Sequence, residues 1–469
     1  MLCVLRDLEP DPELANALHA LIEAPADPIM GLPAGFRLHL NRFDAAFFRE
    51  EIQRLGATRF LQNDAPTGAD SRTLLVDVAL ILRDALSQRN VEERRGFARH
   101  LLAYCGVVIV EAQDADAGFN IFRVLNARGR PLENYDLIKG ELFQAAALTA
   151  QEAEAYARDW SGYAASLGLR RFGEMLQHMR VIHDRTLRGD LVAGFRAGVL
   201  RAAPARVVLD EWLPAHVEAN LAISEGRIEA GRQTAAVNAL VSSLGMLDNS
   251  SWRTAAVQFL VLRPDDVDAM RDFFEELERL MFVLRLIGLD RPKRLQRLRT
   301  ILDSIDRDDD LFRPGGALSL LPGEANLAFR RLSSRLTNFP LRRALTFRAN
   351  AALKQGEVLS PDADATVEHV LPLSPKPGSD WLIEWPDPHE RRDLCNTLGN
   401  LVLLSHAQNQ EADRAPYAEK RQIFFANGTA EFALTRDIAG CQTWTPDIVR
   451  ARTERLAGLL AHIWHLDRG

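Results

Sequence analysis

Apolar side chains recur at three- and four-residue intervals through most of this 469-residue chain, a spacing that gathers them on one face of a helix. Leu74 to Leu86, Tyr135 to Ala147, Thr234 to Leu244 and Asp272 to Ile287 all carry it. Asp11-Pro12-Glu13 supplies a cap, a first-position proline and an early acid in the order that starts a helix. The expected fold class is mainly α, with helical N-terminal and middle regions. Gly106 to Val110 is a rare strand candidate among them. Stretches rich in Gly, Pro and Asp, such as Arg307 to Gly323 and Gln355 to Asp364, read as connections. The length exceeds the ~150 residues usual for one domain, and the pattern divides it into regions 1–150, 151–340 and 341–469.

Composition excludes several classes. The longest near-continuous apolar run, Leu101 to Val110, is about half of a bilayer span, so no membrane association is expected. No charged-then-apolar secretory signal opens the chain. Cys3, Cys105, Cys395 and Cys441 lie far apart without a Cys-x-x-Cys pair, which argues against a disulfide framework and a cysteine zinc site. The cytoplasm is the expected compartment. The net charge of −7 is not that of a basic nucleic-acid binder, yet the average hides a contrast. From Arg285 to Arg348 there are fourteen basic residues against seven acidic ones. That segment is the candidate for contact with a DNA backbone.

After about residue 365 the periodicity changes. Thr366 to Pro372 is short and β-branched, Leu398 to Leu404 is a second apolar run, and Ser405 to Phe425 is helix-like. Two strands and a helix would make a small compact unit carrying Glu368-His369, Gly399-Asn400, Asn409 and Lys420. Hydrolysis of a phosphodiester needs a base for water and a cation to steady the leaving oxygen. His369 has the intrinsic pKa for the first task. Glu368 and Asn409 offer oxygen donors of the kind that suits magnesium, which keeps several waters. Asn400 could bond backbone across the hairpin, and Lys420 could meet a phosphate oxygen. Taken singly, these features also fit a surface carboxylate, a satisfied histidine and a turn. His389 and His406 lack such partners and read as surface residues.

The order and intervals of these residues resemble the HNH (ββα-metal) nuclease motif, with Asn409 nine positions after Asn400. The resemblance implies His369 as general base, Glu368 and Asn409 as ligands of Mg2+ or another divalent cation such as Mn2+, and Asn400 as the loop-positioning residue. Neighbours on an ideal strand face opposite sides, so Glu368 and His369 share one metal site only if the strand twists or ends there. Pro372 makes an early end reasonable.

A second constellation runs from Phe122 to Lys139. Gly129 suits a helix C-cap, Asn134 and Asp136 suit the opening of the next helix, and Arg128, Arg130 and Lys139 crowd that opening, where an anion is welcome. A plain helical corner explains the same residues. The run is similar to the N-terminal domain of GmrSD-type, modification-dependent (type IV) restriction endonucleases, matching its pattern at Asn126, Arg128, Gly129, Leu132, Asp136 and Lys139. Of these, Asn126, Arg128, Gly129, Asp136 and Lys139 are the candidate phosphate or nucleotide contacts. Trp444, Ile448, Arg452 and Leu456 follow at four-residue steps, as in the same family, and read as core.

That resemblance implies a metal-dependent DNA endonuclease of the phage-defence type, acting on DNA that carries phage modifications. The alternative is a catalytically silent DNA-binding or regulatory paralogue. The family's Asp-Gly-Gln-Gln-Arg motif, on a ParB-like fold that hydrolyses nucleotide, has no counterpart here. The N-terminal region is therefore expected to be truncated, by a misassigned start more than by loss of the gene's front end. Nucleotide hydrolysis is not credited to this polypeptide, and the oligomeric state is left open.

Overall fold

The computed structural model describes residues 1–40, 42–61, 71–106, 134–185, 189–247, 250–354, 364–426 and 428–466. Its contacts divide the chain into two units, 1–122 and 123–469. The strand candidate Gly106 to Val110 and the motif residues Asn126, Arg128 and Gly129 lie wholly or largely outside the described residues.

In the first unit, α1 (Leu2–Leu8) and α2 (Pro12–Ala20) precede a short hairpin of β1 (Glu23–Ala24) and β2 (Gly35–Phe36). Helices α3 (Ser71–Ser87) and α4 (Val91–Tyr104) complete it. Asp11 caps α2 through its side chain, with Pro12 at the first position. Arg6 is fully buried and donates to the carbonyls of Gln53 and Arg54, while Asp7 accepts from the backbone of Gly56 and Thr58. These bonds fasten the 50s segment to α1. On α3, Leu74, Val78 and Ile81 share an exposed stripe.

The second unit is built from α5 (Asn134–Ala145), α6 (Ala150–Leu167), α7 (Leu169–Asp184), α8 (Leu191–Ala202), α9 (Leu213–Glu225), α10 (Thr234–Gly245), α11 (Ser251–Leu262), α12 (Val267–Leu286), α13 (Arg291–Asp306), α14 (Glu324–Leu332) and α15 (Phe339–Leu353). The stretch between α13 and α14 is a series of turns, where Gly and Pro prevent a helix from continuing. Within the core, Glu278 of α12 accepts two bonds from Arg348 of α15, at 2.8 and 3.1 Å, and others from Ser243 and Trp464. One buried carboxylate thus ties four separate parts of the chain together.

A single hairpin follows. β3 (Thr366–His369) pairs antiparallel with β4 (Leu401–Leu404), Glu368 opposite Val402 and His369 opposite Leu401. Leu403 belongs to the large helical core, whereas Val402 and Leu404 belong to a smaller one with Trp381, Trp385, Tyr417 and Trp444. The hairpin is a partition between two cores, which is why β4 is apolar at every position.

The segment expected to be one helix from Ser405 to Phe425 is two, α16 (His406–Ala412) and α17 (Tyr417–Phe424). Asp413 takes a positive φ of 27° and Pro416 cannot continue a helix, so the chain breaks between them. The closing helix is α18 (Pro446–Ile463). The expectation of a mainly α chain holds, and the C-terminal unit has the two expected strands followed by two helices in place of one. No described helix is long and apolar enough to cross a membrane.

Candidate functional site

The site residues after 365 are gathered around the partition. Strand alternation puts Thr366 and Glu368 on one face of β3, Val367 and His369 on the other, and their partners agree. On the first face, Asn409 of α16 donates to the Thr366 hydroxyl at 2.8 Å, and Lys420 of α17 donates to Glu368. On the second, Val367 packs on the large core and His369 Nε2 lies 2.9 Å from Asn396 Oδ1. Glu368 and His369 therefore diverge. The strand ends at His369, and Val370 already turns to bond the carbonyl of Asn400.

An amide oxygen only accepts, so Nε2 of His369 carries the proton and Nδ1 keeps its lone pair. Burial is the main force holding the ring at a pKa of about 4; the charges of Arg342 and Lys420 add to it, and the Asn396 bond opposes it. The imidazole is neutral at physiological pH.

Lys420 has no exposed surface and faces inward, onto Glu368 and the carbonyl of His369 at 2.7 Å, not outward toward a substrate. Burial raises the Glu368 carboxyl and lowers the Lys420 ammonium, each opposed by the other's charge. Asp413, an exposed residue one helical turn after Asn409, acts electrostatically on both.

Asn400 is fully buried and is the last residue of a 3-10 turn just before β4, rather than a residue of the strand. Its amide bridges the hairpin, accepting from Leu371 N at 2.8 Å and donating to Leu371 O and Cys395 O at 2.9 Å. Trp444 Nε1 donates to the same oxygen at 3.0 Å. The tight turn has a steric origin. A Cβ on Gly399 would come within 2.1 Å of the Val449 carbonyl of α18, so only glycine lets the two backbones approach. Arg452 of α18 then donates to the carbonyls of Gly399, Leu401 and Leu434 and to Asp437.

Glu368 and Asn409 share a face and supply a carboxylate and an amide, with Asp413 near. This donor chemistry fits a hard dication that retains most of its water. Among the described residues no group of three or more His, Cys, Asp or Glu is placed to hold a metal, so any ligand set here includes the amide. Lys420 already occupies one oxygen of Glu368.

Residues 324–459 match the family model of the C-terminal domain of GmrSD restriction endonucleases. Over this stretch, and this stretch alone, the chain is similar to the GmrSD restriction endonuclease family. The match contains the hairpin, Glu368, His369, Asn400, Asn409, Lys420 and the supports Trp444 and Arg452. The chain has no match among individually curated proteins. Of the motif expected to resemble the family's N-terminal domain, which lies outside the match, only Asp136 and Lys139 are described, both in α5. Lys139 lies over the Phe143 ring and is held below the usual lysine range by burial.

Sequence reasoning missed Asn396, Thr366 and Asp413. Asn396 is buried four residues before Asn400, and Asp413 falls one turn after Asn409, the one spacing signal available. His389 and His406 are exposed, His406 paired with Asp364 at 3.0 Å.

At least four of the fourteen basic residues from Arg285 to Arg348 are spent internally. Arg297 pairs with Glu324, Arg348 with Glu278, and Arg342 and Arg299 donate to backbone carbonyls.

Proposed function

We propose that this chain is a metal-dependent DNA endonuclease of the modification-dependent restriction type, and that its C-terminal HNH unit hydrolyses the phosphodiester. Phosphoryl displacement needs the attacking water and the leaving oxygen roughly in line, on opposite sides of phosphorus. The observation that carries the reading is the divergence of Glu368 and His369 at the end of β3. A phosphate seated at that end would meet Nδ1 of His369 on one side and the Glu368 face on the other. His369 would take the proton of the attacking water, held in the productive tautomer by Asn396. Asn400 would keep the turn after His369 in place. Glu368 and Asn409, with Asp413 beside them, would hold Mg2+ or Mn2+, which supplies charge for the leaving oxygen. Lys420 would orient Glu368 from behind.

In this reading region 1–150 regulates or recognises, the basic stretch of region 151–340 contacts the DNA backbone, region 341–469 cuts, and the protein works in the cytoplasm on phage DNA. Asp136 and Lys139, with Asn126, Arg128 and Gly129, would belong to the recognising part.

One observation favours the second reading, a silent DNA-binding or regulatory paralogue: the Lys420 ammonium sits where a cation would approach Glu368. Plasmid nicking decides between them. With Mg2+ or Mn2+ the wild type nicks modified or plain DNA and His369→Ala does not. If neither protein cuts any DNA, the silent reading stands.

A further inference from the structure

Away from the hairpin, five guanidinium groups gather with few carboxylates to balance them. One face of α7, carrying Arg170, Glu174 and His178, lines a cavity of about 960 Å³ and also a neighbouring cavity of about 340 Å³. Arg291 and Arg294 of α13 line the larger, Arg171 and Arg253 the smaller. The carboxylates in these walls are Glu174, bonded to Arg170 at 2.9 Å, and Asp190, which caps α8 by accepting from Ala193 N at 2.8 Å. Neither Arg291 nor Arg294 has a carboxylate partner among the described residues. Arg253 is held below the ordinary arginine range by burial and by the charges of Arg171 and Arg170, with Glu174 opposing. Like charges crowded at a partly buried place are unfavourable unless an anion joins them.

Two further observations point the same way. The starts of α5, α8, α11 and α13 all reach the larger cavity, through Asn134, Leu191, Ser251 and Arg291. Helix starts carry partial positive charge and unbonded N–H groups, and the Ser250 side chain does not cap α11. His178 lies in the wall of both cavities. It is only 8% exposed, and its Nδ1 has no hydrogen-bond partner among the described residues. A buried polar atom left unbonded is costly, and the tautomer with its proton on Nδ1 would donate to an anion in the cavity.

We propose that these adjoining cavities bind a small phosphate-bearing anion with at least two phosphoryl groups. Two groups are needed because the guanidiniums are divided between two spaces on either side of Arg170 and His178. A small ligand fits better than duplex DNA, because the larger space is a concavity of single-ligand size. The site lies outside residues 324–459 and does not depend on the chemistry of the hairpin.

Isothermal titration of the full chain with inorganic pyrophosphate in low salt tests this. The expected result is saturable binding that Arg170→Ala combined with Arg291→Ala weakens at least tenfold, both side chains being exposed. Arg330→Ala, on an exposed face of α14, leaves it unchanged. Should the double variant fail to fold, the wild type still answers: pyrophosphate shifts the His178 ring resonances in a histidine-labelled sample. The proposal is overturned by an absence of binding at millimolar pyrophosphate, by equal weakening in Arg330→Ala, or by binding that leaves His178 unmoved. A short duplex that binds through these arginines while pyrophosphate does not would overturn it too.

Discussion

The ammonium of Lys420 lies on the carboxylate of Glu368, with its side chain fully buried. Removing one member of a buried pair strands the other, at a cost of about 3–5 kcal/mol, whereas replacing both is often nearly neutral. Lys420→Met should therefore lower the urea midpoint sharply, and Glu368→Gln added to it should restore at least half of the loss. Independent losses that simply add would mean that the two side chains are not coupled.

Asn396 acts on His369 by fixing its tautomer and ring direction. Asn396→Ala should reduce plasmid nicking by about 10–100-fold, the range seen when an orienting partner is lost. Stability in urea should fall by about 1–3 kcal/mol, the cost of one buried ring N–H left unbonded, while binding of uncut DNA should change little. Asn396→Asp should recover part of the rate, because a carboxylate still accepts from Nε2. Unchanged nicking in Asn396→Ala would remove this residue from the mechanism.

Asn400 uses its amide on three backbone groups and the Trp444 indole. Asn400→Ala leaves these buried groups unbonded, at about 1–3 kcal/mol for each that water cannot reach. A loss on the order of 3 kcal/mol or more in urea denaturation is expected. Gly399→Ala should be as damaging for a different reason, the collision with the Val449 carbonyl. If Gly399→Ala melts like wild type, the close approach of this turn to α18 is not needed.

The helices were legible because their signals are local: Asp11-Pro12-Glu13 starts α2, and the apolar period of Asp272 to Ile287 marks the buried face of α12. Glu368, His369, Asn400 and Asn409 were legible as a spaced set. What sequence could not give was their facing, which depends on where β3 ends. Nor could it give Asn396, whose contact with His369 joins residues 27 apart by tertiary folding alone. Lys420 illustrates the same limit. A lysine on a helix reads as solvent-facing, and only packing between two cores turns it inward. Arg452 was read as core from its stripe, and its burial agrees, yet its work is to hold carbonyls on both sides of Asn400.

Buried histidines set an acid limit on stability: His178 and His216 supply part of it, beside His183 and His369, which burial also holds at about 4. His178 and His216 are both buried, and burial holds each at a pKa of about 4 against an ordinary 6.5; Arg253 adds to this at His178, while Asn220 opposes it there and the Trp212 carbonyl opposes it at His216. The sign follows from proton counting. Above pH 6.5 the rings are neutral folded or unfolded, so neither contributes. Below it the unfolded chain takes up protons that the folded one refuses, and stability falls by up to about 1.4 kcal/mol per pH unit for each ring until about pH 4. By pH 5 the two together should cost roughly 4 kcal/mol, a large share of a typical domain's stability. The urea midpoint should therefore drop between pH 7 and pH 5, before most carboxylates titrate. His178→Gln combined with His216→Gln should remove about half of that drop, His183 and His369 keeping the rest, whatever it does to the midpoint at pH 7. A slope unchanged by the double substitution would place the acid sensitivity elsewhere.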